Sequence, residues 1–416
     1  MLRPNVIALD TPLRRLIQDR GVTTHFQPIF SARQKAVIGV EALARGVTSS
    51  GQLIPPIELF RMAAEERLAM AVEKLCRESA VRAFTQLDAR PEELLLFLNL
   101  DLVDQPNPEA VPADLERLLV AAGVASTNVA VEFLEARLDD IARFGALASA
   151  LRERGFLVVL DDVGAGHSNL DRIPLFRPDV IKVDRSLVTA VDADYYKQET
   201  LKSLVGLSRR IGALVVAEGI ETEGEAITAL ELGVDLLQGY YLSRPQAVSS
   251  FDDGGLARAS SQVEGLARKF KSHMVGTING RKLQHRRFNV ILNRILCDLT
   301  NTEAVEFDDI LGRIIPEHPT VECLYVLNDA GVQVTDTIWN GALAQQPGGA
   351  LFRPAPKGTD HSLKEYYYVP LDVELQKYTT DPYVSLASGN LCRTISTCFR
   401  DAENNCLYVL CVDVRP

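Results

Sequence analysis

Short apolar runs alternate with longer amphipathic segments between residues 21 and 248. The intervening segments, such as ARFGALASALRERG, carry apolar residues at helical spacing. Eight strands alternating with helices over about 230 residues predict an α/β fold, a TIM-like (β/α)8 barrel, with an open doubly wound sheet as the alternative. The predicted strands lie at 26–30, 37–43, 94–100, 129–134, 156–161, 180–184, 214–219 and 236–242.

The first two of these runs are joined by the short segment SARQKA. This segment is too short for the helical crossover that two parallel strands need. We therefore expect an antiparallel hairpin, which makes the first strand of the barrel irregular.

The pattern changes after Pro245. Residues 246–262 are rich in Ser, Gly and Asp, as is typical of a linker, and 263–300 have helical periodicity. From about residue 318, the runs CLYVLND, GVQVTDTI, EYYYVPL, CRTISTCF and CLYVLCVDV predict strands. We therefore divide the chain into a barrel with an N-terminal helix (1–248), a helical linker (249–300) and a smaller α/β domain (301–416).

Composition narrows the class of protein. The chain has 416 residues and a formal net charge of −11, which argues against binding to a nucleic acid polymer. It contains no long uncharged apolar stretch, and its N-terminus lacks the apolar core of a signal peptide. We therefore expect a cytoplasmic protein without a transmembrane segment. The seven cysteines include no CxxC pair, so neither a disulfide framework nor a zinc knuckle is expected.

Seven apolar runs of the first domain end in polar side chains, which are costly to bury unless they emerge at a site. Most of them are acidic, and oxygen ligands of this kind are those that Mg²⁺ and Mn²⁺ prefer. We therefore expect one shared acidic pocket that binds two divalent ions. The polar ends are Glu41, Asn99, Glu132, Asp161-Asp162, Lys182, Glu218 and Gln238.

Two adjacent carboxylates, Asp161 and Asp162, can bridge two cations, and paired ions are the usual clamp for displacement at phosphorus. Taken alone, this pair could instead cap a helix. Lys182 needs a nearby anion because it interrupts an apolar strand, and it could either position a water or form a structural ion pair with Asp184 or Glu218. Glu221 could position the water or the lysine, or could be an ordinary charge at a helix N-terminus.

The segment DDVGAGHSN contains Gly164, Gly166 and Ser168. Glycines permit positive φ angles, so a mobile loop over an active site and a plain turn are both compatible with this pattern.

Several separated motifs over residues 20–248 resemble those of the EAL-domain family. They are the Glu41-Ala42-Leu43 tripeptide, DDVGAGHSNL, VIKVD, VVAEGIET and LLQGYYLSRP, in that order. The resemblance implies a TIM-like barrel that hydrolyses cyclic di-GMP to linear pGpG with two Mg²⁺ or Mn²⁺ ions. The alternative is a catalytically inactive cyclic di-GMP receptor that signals to a protein partner. A scaffold that binds no nucleotide is a third reading.

The resemblance also implies residue roles. Glu41, Asn99, Glu132 and Asp161 match the first metal site, and Asp161 and Asp162 the second. Lys182 and Glu218 match the residues that orient or activate the water, with Glu218 also counted as a metal ligand and Glu221 in support. The remaining matches are substrate contacts at Gln27, Leu43, Arg45, Asp184 and Gln238, and a loop anchor at Glu135 with Gly164, Gly166 and Ser168.

The chain departs from the family pattern in the loop. Val163, Ala165, His167 and Asn169 stand where the family usually has Phe, Thr, Tyr and Ser. Gly46 replaces an aromatic residue near the substrate. The metal ligands are retained, so the resemblance still implies chemistry, while we expect the packing of the loop and the coupling between protomers to differ from those of the family.

The C-terminal domain resembles the Cache and PAS group of sensory domains in the order of LYVLNDAGVQV, YYYVPL, TTDPYVS, RTISTCF and the final CVDV. This resemblance implies a homodimer and an unknown small-molecule ligand at the C-terminal domain.

Overall fold

The computed structural model describes most of the chain. The described residues are 11–87, 94–100, 108–134, 141–165, 172–251, 254–341, 354–373, 375–385, 388–403 and 406–415. They form two compact units, residues 1–276 and residues 277–416.

The first unit contains a closed barrel of eight strands, as the sequence predicts. The barrel runs β1-β2-β4-β5-β6-β7-β8-β9 and closes because β9 pairs with β1. Two short strands, β3 and β10, extend it at β2 and β1. The strands are β1 (Val22–Ser31), β2 (Ala36–Val47), β3 (Leu53–Ile54), β4 (Leu95–Asn99), β5 (Val129–Leu134), β6 (Leu157–Val163), β7 (Val180–Val183), β8 (Leu214–Ala217), β9 (Leu236–Leu237) and β10 (Gln246–Ala247).

The first strand is antiparallel to both of its neighbours in the barrel. The predicted hairpin is therefore confirmed, with Gln27 opposite Glu41 across β1 and β2. From β2 through β9, every neighbouring pair in the barrel is parallel. The carboxyl ends of seven strands therefore meet at one end of the barrel.

Helices follow the strands and pack on them through apolar faces. Those of the first unit are α1 (Pro12–Gln18), α2 (Pro56–Glu65), α3 (Ala69–Phe84), α4 (Val111–Ala122), α5 (Ile141–Glu153), α6 (Arg172–Phe176), α7 (Arg185–Val188), α8 (Tyr195–Ile211) and α9 (Glu223–Glu231). Local chemistry sets their ends. Thr222 and Glu225 form a capping box at the start of α9, and Gly212 ends α8 at a φ of 81°.

A helix of 45 residues, α10 (Gly255–Leu299), begins in the first unit and ends in the second. Near its start, Val263 and Leu266 belong to the barrel core. Near its end, Leu292, Ile295 and Leu299 belong to the core of the second unit. No helix among the described residues combines the length and the apolar character that crossing a membrane requires.

The second unit is built on an antiparallel sheet in the order β12-β11-β16-β15-β13, with β14 also pairing with β15. Its remaining elements are α11 (Phe307–Ile314), β11 (Val321–Asn328), β12 (Ile338–Trp339), α12 (Glu365–Asp372), β13 (Tyr378–Thr379), β14 (Tyr383–Val384), β15 (Leu391–Arg400) and β16 (Leu407–Val414). One face packs Leu324, Val412 and Ile395 against α10 and α11. The other face carries Cys323, Tyr325 and Cys411.

Two predicted strands of the second unit are wrong. The segment GVQVTDTI forms isolated bridges at Val332 and Gln333, and the strand β12 begins only at its last residue, Ile338. The segment EYYYVPL, predicted as a strand from its β-branched and aromatic residues, forms the helix α12. Tertiary contacts override this local preference. Tyr367 is buried in the second core, on the sheet face that carries Tyr325, and its hydroxyl donates to the carbonyl of Asp329 at 2.7 Å.

Candidate active site

Polar side chains from seven strands converge at the carboxyl end of the barrel. Glu41 lies within β2, Glu132 within β5 and Lys182 within β7, while Asn99 ends β4. Asp161 and Asp162 lie in β6, and Glu218 and Gln238 directly follow β8 and β9. Because these strands are parallel neighbours, residues that are far apart in the sequence become one cluster, as the strand-end pattern predicts.

Lys182 is the centre of this cluster, and its side chain is almost completely buried at 1% exposure. Its Nζ lies 2.6 Å from Glu218 Oε1, 3.3 Å from Glu41 Oε2 and 3.5 Å from Asp161 Oδ1. It also lies 2.7 Å from Glu132 Oε1. The sequence predicted Asp184 or Glu218 as a structural partner of this lysine. Glu218 is its partner, whereas Asp184 caps α7 by accepting from Ser186 N at 2.9 Å.

Burial and mutual repulsion shape the protonation of the cluster. Burial raises the pKa of Glu132 and of Glu218 well above the ordinary value, against the opposing attraction of Lys182. Burial also raises the pKa of Asp161, to about 6. The carboxylates in turn hold the pKa of Lys182 well above its ordinary value, although burial alone would lower it.

Glu41 differs from its neighbours. Burial would raise its pKa, but Lys182 and hydrogen bonds from two amides outweigh burial and lower it. Those bonds come from Gln238 Nε2 at 2.5 Å and Asn99 Nδ2 at 3.1 Å. Gln238 Nε2 also lies 3.3 Å from Gln27 Oε1, so Gln27 orients the amide that orients Glu41.

The donor set fits hard divalent cations. One carboxylate oxygen from each of Asp161, Asp162 and Glu218 lies within 4.8 Å of the other two. Glu132 Oε1 pairs with Lys182 Nζ at 2.7 Å, whereas the buried Oε2 of Glu132 has no hydrogen-bond partner among the described residues. Buried acceptors without partners are costly, and a cation would satisfy them.

Asp162 has a φ of 56°, an unusual angle for a residue other than glycine. Such a conformation at a site indicates that surrounding structure enforces it. The following glycine, Gly164, has a φ of 101°, and a Cβ there would meet Leu187 Cδ1 at 2.3 Å. The turn after β6 therefore requires a glycine at position 164.

The other predicted site residues lie around the cluster or outside the described residues. Glu221 is half exposed, and its Oε1 lies 3.3 Å from Arg185 Nη2. Arg45 donates from Nη1 to the carbonyl of Ala44 at 2.8 Å. Leu43 lines a cavity beside the cluster. Glu135, Gly166 and Ser168, with the loop residues His167 and Asn169, lie outside the described residues.

The same cavity, of about 660 Å³, shows residues that the sequence reasoning missed. It opens beside Glu41 and Asn99, has largely apolar walls that include Phe60, and is also lined by Arg61, Glu73 and Arg77. Glu73 is buried and pairs with Arg77 at 3.4 Å. The available signal was a charged residue next to Val72, on the buried face of a helix.

Comparison with known proteins agrees with this geometry. The model of the EAL domain family matches residues 11–245, which is more than half of the chain. A probable cyclic di-GMP phosphodiesterase of Escherichia coli, PdeN, is 27% identical over 227 residues, which cover 54% of this chain and 44% of PdeN. The chain spans between 29% and 44% of the length of the first curated relatives that it matches.

One relative matches both units. The EAL-domain containing protein YkuI of Bacillus subtilis is 25% identical over 395 residues, which cover 92% of this chain and 93% of YkuI. The crystal structure of YkuI with the substrate c-di-GMP and calcium superposes with a TM-score of 0.79 at 23% identity, over 98% of this chain and 99% of that one. This likeness shows that the two chains share a fold.

A second solved structure adds a closer sequence match over the barrel. BlrP1 of Klebsiella pneumoniae, in a complex with manganese and cyclic di-GMP, is 32% identical, with a TM-score of 0.50 over 55% of this chain and 56% of that one.

Proposed function

The chain belongs to the EAL domain family, and on that premise we propose that its barrel hydrolyses cyclic di-GMP to linear pGpG with two divalent ions, Mg²⁺ or Mn²⁺. The observation that carries the proposal is the cluster around Lys182, where four carboxylates approach one ammonium group within 3.5 Å. Clustered carboxylate oxygens are the ligands that divalent cations prefer, and bound cations offset the negative charge of a phosphodiester. PdeN, a relative by sequence, is named as a probable phosphodiesterase for this nucleotide.

We assign Glu41, Asn99, Glu132 and Asp161 to one ion, and Asp161 with Asp162 to the second. Glu218 supplies a further oxygen next to both aspartates. When bound, paired ions of this kind lower the pKa of a coordinated water and offset charge at the phosphate.

Glu218 and Lys182 handle the proton of the attacking water. Glu218 Oε1 lies 2.6 Å from Lys182 Nζ, which fixes the direction of the carboxylate. A carboxylate held in this way can accept a proton from a water beside it. Glu221, beside Arg185, supports the turn that carries Glu218.

Substrate contacts come from Gln27, Leu43, Arg45, Asp184 and Gln238, as the family resemblance implies. The cavity beside Glu41 has room for a purine base, and its apolar walls suit the faces of the ring. Glu73 offers carboxylate oxygens to the N–H donors along one edge of guanine.

For residues 301–416 we propose a Cache- or PAS-like sensory domain that binds a small molecule and contributes to a homodimer. Its antiparallel sheet has one apolar face under helices, and its other face buries polar residues, Thr394, Ser396 and Asp413, which suits a regulatory module.

The proposal is tested with Asp161→Asn, which removes one charge from the cluster at constant shape. Glu199→Gln, on the exposed side of α8, is the matched control. Turnover should fall at least a thousandfold in Asp161→Asn and stay unchanged in Glu199→Gln, measured by chromatography of the nucleotides. Equal turnover in both variants would contradict the assignment of Asp161. Tight binding of cyclic di-GMP by the wild-type protein without pGpG would favour the inactive receptor.

A further inference from the structure

The second unit contains a groove of about 780 Å³ between α10, α12 and the ends of β15 and β16. Its volume is in the range of small-molecule sites. The apolar part of its wall comes from Leu292, Leu296, Pro370 and Leu407. Its polar part comes from Asn289, Asn293, Gln376 and Lys377. The groove thus joins an apolar surface to a polar end that carries a cation.

Lys377 is the cation at that end, and no carboxylate of the described residues forms an ion pair with it. Its Nζ contacts Asn289 Oδ1 and lies 3.3 Å from His285 Nε2, and neither of these partners is an anion. Among the described residues, no carboxylate oxygen lies within 4.0 Å of this ammonium group. Partial burial lowers the pKa of Lys377. A lysine in this position gains from an anion.

The surroundings of the groove add to its positive potential. Arg281 and Lys282 precede His285 by one helical turn, so they lie on the same side of α10 as His285 and Asn289. Arg286 and Arg287 are exposed nearby. From residue 277 to residue 299, Asp298 is the one acidic residue beside five Lys and Arg residues. In a chain of net charge −11, this local excess of cations favours an anionic ligand.

We propose that this groove binds a small amphipathic carboxylate, whose head group pairs with Lys377 and whose apolar body lies along Leu292, Leu296 and Leu407. A carboxylate would give Lys377 the anionic partner that no described residue supplies. An inorganic anion would leave the apolar walls in water, and an uncharged apolar molecule would leave the lysine without a counterion. The groove therefore selects for both properties in one ligand.

The small-molecule ligand proposed above for the C-terminal domain would thus bind in this groove as an amphipathic carboxylate. This proposal rests on the sensory role proposed for residues 301–416 and not on the chemistry proposed for the barrel. Binding to the groove is measured without cyclic di-GMP, so its failure is distinguishable from a failure of the barrel chemistry.

The experiment is calorimetric titration of the full chain with octanoate. Acetate serves as the head group alone, and octyltrimethylammonium as the same tail with the opposite charge. We expect saturable one-to-one binding of octanoate and none of either control. Lys377→Met should weaken octanoate binding at least tenfold. Lys364→Met, which removes an exposed lysine that does not line the groove, should leave it unchanged.

Several outcomes would overturn the inference. One is absence of octanoate binding at millimolar concentration. Another is equal binding to the wild type and Lys377→Met. A third is equal binding of octanoate and octyltrimethylammonium, which would indicate an apolar groove without selection for charge. Lys377-dependent binding of a glutamate-rich peptide without octanoate binding would assign the groove to a protein partner instead. The fluorescence of Trp339, which lies in this unit, checks that Lys377→Met remains folded.

Discussion

The two units bury charge in opposite ways. In the barrel, Lys182 lies among four carboxylates within 3.5 Å, and Asp162 adds a fifth beside them. In the C-terminal unit, the buried Asp413 is held by neutral donors, at 2.7 Å from Thr394 Oγ1 and at 3.4 Å from both Cys323 Sγ and Tyr383 Oη.

This difference separates a site that recruits cations from an isolated polar core. In the barrel, acidic groups outnumber the cation that faces them, because four carboxyl groups lie within 3.5 Å of one lysine. Asp413, by contrast, has its oxygens occupied by hydrogen bonds and needs no ion to remain buried. An acidic residue in a core is therefore evidence for a metal site only when its oxygens outnumber the donors that face them.

The largest expected effect comes from Lys182→Met. Removing this ammonium group takes away the cation with which four buried carboxyl groups pair, which should destabilise the barrel by about 3–5 kcal/mol. Urea unfolding followed by far-UV circular dichroism measures this loss. As control, Lys202→Met breaks an exposed pair with Glu199 and should change the unfolding free energy by less than about 1 kcal/mol. An unfolding free energy of Lys182→Met equal to that of the wild type would contradict the claim that Lys182 stabilises the buried carboxyl groups of the barrel.

Asp413→Asn tests the other half of the comparison. Burial raises the pKa of Asp413 to about 6 from an ordinary value of 3.8, although its hydrogen bonds oppose the rise. The folded state therefore binds the proton of the Asp413 carboxyl group more tightly than the unfolded state does. Protonation of Asp413 stabilises the fold fully below pH 3.8, and this stabilisation is lost as the pH rises to about 6. The loss amounts to about 3 kcal/mol.

The measurement is unfolding followed by fluorescence of Trp339, the one tryptophan of the chain, which reports on the C-terminal unit. We expect the wild-type unfolding free energy to fall between pH 4 and pH 6, and Asp413→Asn to remove most of that fall. An unchanged pH profile in the variant would mean that Asp413 does not titrate in this range.

Glu73→Gln separates binding from chemistry within the barrel. Glu73 lines the cavity beside Glu41 but does not contact Lys182, so its loss should raise KM about tenfold and leave kcat nearly unchanged. Steady-state kinetics with cyclic di-GMP measure both values. A fall in kcat with unchanged KM would instead connect Glu73 to the charge cluster.

The smallest expected effect on stability belongs to Glu221→Gln. Glu221 is paired with Arg185 on the surface, so the unfolding free energy should change by about 0.5 kcal/mol or less. Urea unfolding of the first unit checks this value. A loss of several kcal/mol would contradict this expectation, because it would mean that Glu221 belongs to the buried network around Lys182.

Most of the barrel could be predicted from the sequence because its strands are buried on both sides and end in polar residues. Apolar runs such as LVVL, followed by Asp161, reveal both the strand and the site. The hydrogen bonds around Glu41 could not be predicted in the same way. The bond from Gln238 to Glu41 joins residues 197 positions apart and depends on closure of the barrel.

The C-terminal unit was harder to predict because its sheet is antiparallel and its local preferences conflict with its tertiary contacts. The helix α12 has three consecutive tyrosines, which favour strands, yet burial of Tyr367 against the sheet decides its conformation. The position of Lys377 beside Asn289, 88 residues away, likewise has no local signal.

The most direct test of the central claim is the product formed by the wild-type chain. Purified protein is incubated with cyclic di-GMP and Mn²⁺, and the nucleotides are separated by chromatography over time, before and after addition of EDTA. The account predicts linear pGpG as the product, formation that stops with EDTA, and recovery when excess Mn²⁺ is restored. Cyclic di-GMP that remains intact in the presence of bound Mn²⁺, or pGpG formation that continues in EDTA, would contradict it.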